Sequence, residues 1–159
     1  MELTKNGIKG INMTEFQKSL IVLLGMLRAL KWIAWNGHWQ VKGPAYYGDH
    51  LMMERLYTGV LDANIDTLAE KLVALYGSEV IDNPILLLTF NECVGEAKKP
   101  STCPIRRALH LLQILQSQFN QAYKIGTGSG EITLGLDDFL MATANEHETF
   151  IYLLQQRLR

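Results

Sequence analysis

Apolar residues recur at steps of three and four along most of the chain. After Thr14, which with Gln17 three positions on fits a capping box, Leu20, Leu23, Leu27, Leu30 and Ala34 share one helical face. The pattern predicts a first helix from Thr14 to the neighbourhood of Trp39. Gly43, Pro44 and Gly48 then break the chain. Asp49 is placed to cap a second helix with the stripe Leu61, Ile65, Leu68, Leu72 and Leu75, closed by Gly77. Between Ser78 and Pro100 the pattern is mixed, and a short helix around Ile85 to Phe90 fits it. Ile105, Ala108, Leu112, Leu115, Phe119 and Ala122 mark a third long helix that starts beside Pro104 and stops at Gly126. The segment Gly126 to Gly135 reads as a loop. A fourth stripe follows it: Leu136, Leu140, Thr143, His147, Ile151, Leu154 and Leu158. Four helices, each about 30 to 40 Å long at 1.5 Å per residue, predict an all-α four-helix bundle. The long second connection would be a crossover that sends the third helix parallel to the second.

With 159 residues, 48% of them apolar, the chain is long enough for one domain, 1–159, preceded by an N-terminal tail over 1–13. Its formal charge of -1 recommends neither nucleic acid nor an anionic membrane as a partner. The most apolar stretch, Leu20 to Leu30, is interrupted by Lys18, Arg28 and Lys31 short of the roughly 18 to 20 residues of a membrane span. No secretory signal pattern opens the chain, so the expected location is the cytoplasm. Cys93 and Cys103 form no CxxC pair and read as reduced thiols.

The candidate chemistry lies where polar residues meet these stripes. His38 continues the apolar face of the first helix, and His147 lies on the stripe of the fourth, where a hydrogen-bonded core histidine is the plainer reading. On the second helix Asp62, Asp66 and Glu70 repeat every four residues, and His50 and Glu54 form another i, i+4 pair. Carboxylates with imidazoles make an oxygen and nitrogen donor set suited to iron, manganese or zinc. Acidic residues at this spacing also describe a solvated helix face. His50 and Glu70, twenty residues apart, are separated by about 30 Å on a straight helix and cannot share an ion. If both serve one centre, a second copy must supply the missing half, which predicts a symmetric dimer with two equivalent sites.

The run His38-Trp39-Gln40-Val41-Lys42-Gly43, then His50, then Asp66-Thr67-Leu68-Ala69-Glu70, resembles the signature of the Dps-like mini-ferritins. Glu148 to Leu154 resembles the ending of that family's last helix. The resemblance implies a ferritin-like four-helix bundle with a short helix in its crossover, assembled from dimers into a hollow dodecamer. It implies ferroxidase activity, with iron(II) oxidised by hydrogen peroxide or dioxygen and iron(III) stored as mineral. Carried over by position, the metal ligands would be His38 and His50 from one subunit and Asp66 and Glu70 from its mate, with Glu54 as an additional carboxylate. Trp39 would accept oxidising equivalents, or simply anchor the core. One departure stands out: His50 and Asp66 are sixteen residues apart, one more than the family spacing. A register anchored on Asp66 puts Leu51 and Arg55 where His50 and Glu54 would otherwise fall. The break at Gly48, or a bulge near Gly59, would absorb the difference.

Two further readings compete. One is a self-contained dimetal carboxylate protein, which needs Glu-x-x-His motifs, whereas Ala144 stands three residues before His147. The other is a structural or interaction bundle without catalysis. Met52 and Met53 also admit a haem reading, with core methionines the simpler one. Lys5 and Lys9 against Glu2 offer no lysine-rich tail, so DNA binding is expected to be weak or absent.

Overall fold

A computed structural model describes residues 12–159. Most of the expected N-terminal tail lies outside the described residues. Among the described residues the chain forms α1 (Glu15–Gln40), α2 (Tyr46–Leu56), a π-helical turn (Tyr57–Leu61), α3 (Asp62–Tyr76), a 3₁₀ turn (Ser78–Asp82), α4 (Pro84–Lys98), α5 (Pro104–Ser129) and α6 (Leu134–Arg157). With α2, the π turn and α3 running on as one helix, the long elements number four. The short helix of the crossover is α4, longer than the apolar run alone suggested and capped by Asn83, whose side chain accepts from the Ile85 N–H.

Named contacts fix the directions. Lys31 pairs with Asp62 and His38 meets His50, so α2–α3 runs antiparallel to α1. Gly37 packs on Pro104 and Phe16 on Gly126, so α5 is also antiparallel to α1 and therefore parallel to α2–α3. That is the crossover expected from the long second connection. Gln116 reaches the Ala144 carbonyl and Glu148 while Phe119, further along α5, lies against Phe139, earlier on α6, so α6 returns antiparallel to α5.

The capping box at Thr14 is present with both hydrogen bonds. The stripes of α1 and α5 are wholly buried, as amphipathic helices around one core require. Three local expectations are corrected. Asp49 is not a helix cap: Ala45 holds that place, and the Asp49 carboxylate is buried against Arg157 of α6 at 2.5 and 2.9 Å. Leu75 ends its stripe exposed, at the mouth of a cleft it lines with Met13, Gln17, Ile21 and Val80. Gly126 does not end α5. A Cβ there would lie 2.5 Å from the Phe16 ring, so the glycine serves close packing inside the helix, and Gly130, with φ +72°, is the residue that terminates it. Helix α6 correspondingly starts at Leu134, capped by Thr133.

By length and composition alone, helix α1 contains an 18-residue window apolar enough to cross a bilayer. Of that window, 67% is buried within the bundle, which accounts for the composition: α1 packs against α2, α3, α4 and α5. Met53 is fully buried in the core beside Gly37.

Candidate metal centre

At the α1–α2 end of the bundle the chain doubles back through Val41 to Ala45 and brings two imidazoles together. The His38 and His50 rings stack at 3.6 Å between centroids, 26° apart. Each ring's Nδ1 lies at hydrogen-bond distance from the other residue's main-chain carbonyl, 3.1 Å for His38 and 2.9 Å for His50. A carbonyl oxygen only accepts, so each Nδ1 carries the proton and donates. Both Nε2 atoms are thereby left with their lone pairs, the tautomer a metal ligand needs. Glu54, one turn after His50, completes the group: one donor atom from each of His38, His50 and Glu54 lies within 4.8 Å of the others. As whole residues all three are half-buried, with His38 the deepest of the group and Glu54 the most exposed.

The π turn explains how His50 and Glu54 reach this position. One residue beyond the α-helical period is taken up between Tyr57 and Leu61, beside Gly59, and the helix continues in register on either side. The sixteen-residue spacing to Asp66 is thus accommodated by a bulge inside the helix. Asp66 and Glu70 are exposed further along, about 24 and 30 Å from His50 by helical rise, and the fold does not bring them to the histidines of their own chain. Asp62, the first of the acidic series, is engaged by Lys31.

Aromatic side chains surround the imidazoles. Tyr57 stands edge-on to His38 at 5.5 Å, and Trp35 lies 6.3 Å from Tyr57 and 5.3 Å from Trp39. Trp39 is 62% exposed, so it does not anchor the core. Burial first, then the carboxylates of Glu54 and Asp62, raise the Tyr57 phenol above its ordinary range, which keeps it protonated at neutral pH. Sequence reading passed over Tyr57 and Trp35, although both carried a signal. Tyr57 is seven residues after His50, two turns along the same face, and Trp35 is one turn before Trp39.

His147 is different. It is fully buried, edge-on to Phe119 at 5.5 Å, and neither ring nitrogen has a hydrogen-bond partner. The expectation of a hydrogen-bonded core histidine is not met. Burial lowers its pKa to about 4, so it is neutral across the physiological range. Among the described residues no carboxylate joins it to form a second set of three clustered donors.

Comparisons with known proteins bear on the fold. No protein-family profile matches the chain. The DNA protection during starvation protein of Brevibacillus brevis is 35% identical over 72 residues, a stretch that takes in 42% of this chain and 47% of that protein, about half of the relative's length. The X-ray structure of Dps from Thermosynechococcus elongatus superposes with a TM-score of 0.76 at 21% identity, covering 91% of this chain and 90% of the other. Over those 72 residues the chain is similar in sequence to a Dps protein, and over most of its length it shares the fold of one. The ferritin-like bundle with its crossover helix is therefore the architecture of this molecule.

Proposed function

We propose that this Dps-like chain is a ferroxidase and iron-storage subunit, working in the cytoplasm as part of a homo-oligomeric cage, a dodecamer built from dimers. The observation that carries the proposal is the division of the donor set. Two tautomer-locked imidazoles and Glu54 converge at one end of the chain, while Asp66 and Glu70 stand exposed about 24 to 30 Å away. A twofold-related copy running antiparallel brings the partner's carboxylates to these histidines and yields two equivalent sites per dimer.

In that arrangement iron(II) is the substrate. His38 and His50 offer Nε2 lone pairs, and Glu54, Asp66 and Glu70 offer anionic oxygens that favour iron(III) over iron(II) and so ease oxidation. Two iron(II) ions give one electron each to a molecule of hydrogen peroxide, which takes up two protons and leaves as two waters. Dioxygen is the alternative oxidant. Trp39 and its aromatic neighbours lie where stray oxidising equivalents would arise. Duplex DNA is bound weakly or not at all.

Complementation between subunits tests the division. In a dimer of one His38→Ala/His50→Ala subunit with one Asp66→Ala/Glu70→Ala subunit, one site keeps only Glu54 and the other retains all five ligands. Each variant alone should oxidise ferrous salt no faster than buffer, whereas co-expressed, doubly tagged mixed assemblies should recover activity. Absence of recovery would overturn the intersubunit site. A parent protein that oxidises iron(II) no faster than buffer, with or without peroxide, would overturn the ferroxidase reading itself.

A further inference from the structure

A cleft of about 610 Å³ opens where the turn after α1, the start of α2, the start of α5 and the end of α6 meet. Three cationic side chains line it, Lys42, Arg107 and Arg157, against a single carboxylate, Asp49. That carboxylate is already engaged by Nε and Nη2 of Arg157, which leaves the Nη1 of this arginine. Arg107 donates its Nε to the Ser101 carbonyl at 2.9 Å, a bond that holds the guanidinium plane while both terminal nitrogens remain. Lys42 is exposed on the turn from Val41 to Ala45. Three cations against one carboxylate give the wall an excess of two positive charges, in a chain whose formal net charge is -1.

We propose that this cleft binds a small tetrahedral oxyanion of the phosphate class, as inorganic phosphate or the terminal group of a phosphomonoester. A guanidinium fixed by one bond and open along its other edge matches two oxygens of such an anion, and the lysine adds a point charge. Ile105 lines the same wall at the start of α5, where Cys103 provides no side-chain cap; Pro104 has no N–H and the Arg107 N–H goes to the Cys103 carbonyl, so of the first turn the N–H groups of Ile105 and Arg106 are left to add positive character. The cleft is concave and holds its cations at one point. It therefore accommodates one phosphate group, whereas a nucleic-acid duplex is met by cations spread along a stripe. The site shares no residue with His38, His50 or Glu54, so it stands apart from the ferroxidase reading.

Calorimetric titration of the full, metal-free protein with inorganic phosphate, in a chloride buffer at constant ionic strength, is the test. Saturable binding is expected, weakened about tenfold or more by Arg107→Gln, since hydrogen bonds to charged groups are involved. Because Arg107 also braces the Ser101 turn, Lys42→Glu is the second variant: it breaks no hydrogen bond, should keep the helical circular dichroism, and should weaken binding by a similar factor. Binding unchanged in the Lys42→Glu variant, or no saturation with millimolar phosphate, would overturn the proposal. A short oligonucleotide that binds more tightly than inorganic phosphate, and whose binding Lys42→Glu weakens, would also overturn it, by assigning the cleft to a nucleic-acid backbone.

Discussion

His38 and His50 at one end of the bundle and His147 at its centre have the same side chain and opposite situations. The first two are half-buried, and each Nδ1–H donates to the other residue's main-chain carbonyl, which fixes the tautomer and leaves Nε2 open. His147 is fully buried against Phe119, without a partner for either nitrogen, and is held neutral by burial alone. A histidine on an apolar stripe becomes a ligand candidate when the backbone orients it and further donors converge on it. When neither ring nitrogen finds a partner, it is an unsatisfied polar group in the core.

The sharpest way to break this contrast is to exchange the roles by mutation. His38→Ala or His50→Ala should reduce ferrous oxidation by about a hundredfold or more, because loss of a mere outer-shell partner of a metal ligand already costs roughly 10 to 100-fold. Thermal stability should fall only modestly, by about 0.5 to 1.5 kcal/mol for the one main-chain hydrogen bond each ring makes. His147→Leu should show the reverse, with oxidation retained and stability altered. Stopped-flow absorbance and thermal melts on the same three variants decide the matter. Oxidation lost on changing His147 would place the chemistry inside the single bundle.

The pH dependence of stability supplies a second separation. The folded pKa of His147 is lowered to about 4 from an ordinary 6.5, so between these values the unfolded chain binds a proton that the folded chain does not. Stability is therefore complete above pH 6.5 and falls as the pH drops toward 4, by about 3 kcal/mol from this group. His147→Leu should flatten that limb and add about 1 to 3 kcal/mol at neutral pH, because two unpaired buried nitrogens disappear. Denaturant melts from pH 7 to pH 4 measure both effects. An acid limb unchanged by the substitution would mean that a rearrangement gives His147 a partner.

Much of this was legible from residue spacing, and what was not has physical causes. The stripes of α1 and α5 and the capping box at Thr14 are local patterns, and they appear as the spacing predicts. Asp49 looked like a cap because the residue type suits one, but its partner Arg157 lies 108 positions away and no local pattern announces it. Gly126 looked like a stop because glycine usually is one, until the Phe16 ring is seen to need the space. The histidine pair was visible as candidates. Their mutual hydrogen bonds were not, since they depend on how the turn from Val41 to Ala45 folds back.

The Asp49–Arg157 pair ties the His50 end of α2 to the last turn of α6. Arg157→Ala would leave a buried carboxylate unpaired. With the arginine side chain 40% exposed, solvent screens part of the interaction, so the expected loss is about 2 kcal/mol rather than the 3 to 5 of a fully buried pair. A loss below about 0.5 kcal/mol in denaturant melts would show that water replaces the arginine.

The smallest effect is expected from the most conspicuous irregularity. The π turn at Tyr57–Leu61 holds one residue more than an α-helix would use, while the segments on either side keep their faces. Deleting Gly59 should convert the turn to α-helix, bring His50 and Asp66 to fifteen residues apart, and leave both donor groups on their present faces. Ferrous oxidation should continue at a comparable rate, and the melting temperature should move by no more than about 4 °C, the equivalent of roughly 1 kcal/mol in a domain of this size. Deleting Thr67 instead removes a residue from regular helix and rotates everything after it by about 100°, which turns Glu70 to the other side of Asp66 and carries Leu68 and Leu72 off the core face. That deletion should abolish oxidation. If deleting Gly59 abolishes it as well, the π turn shapes the centre directly through Tyr57, and the extra residue is part of the site.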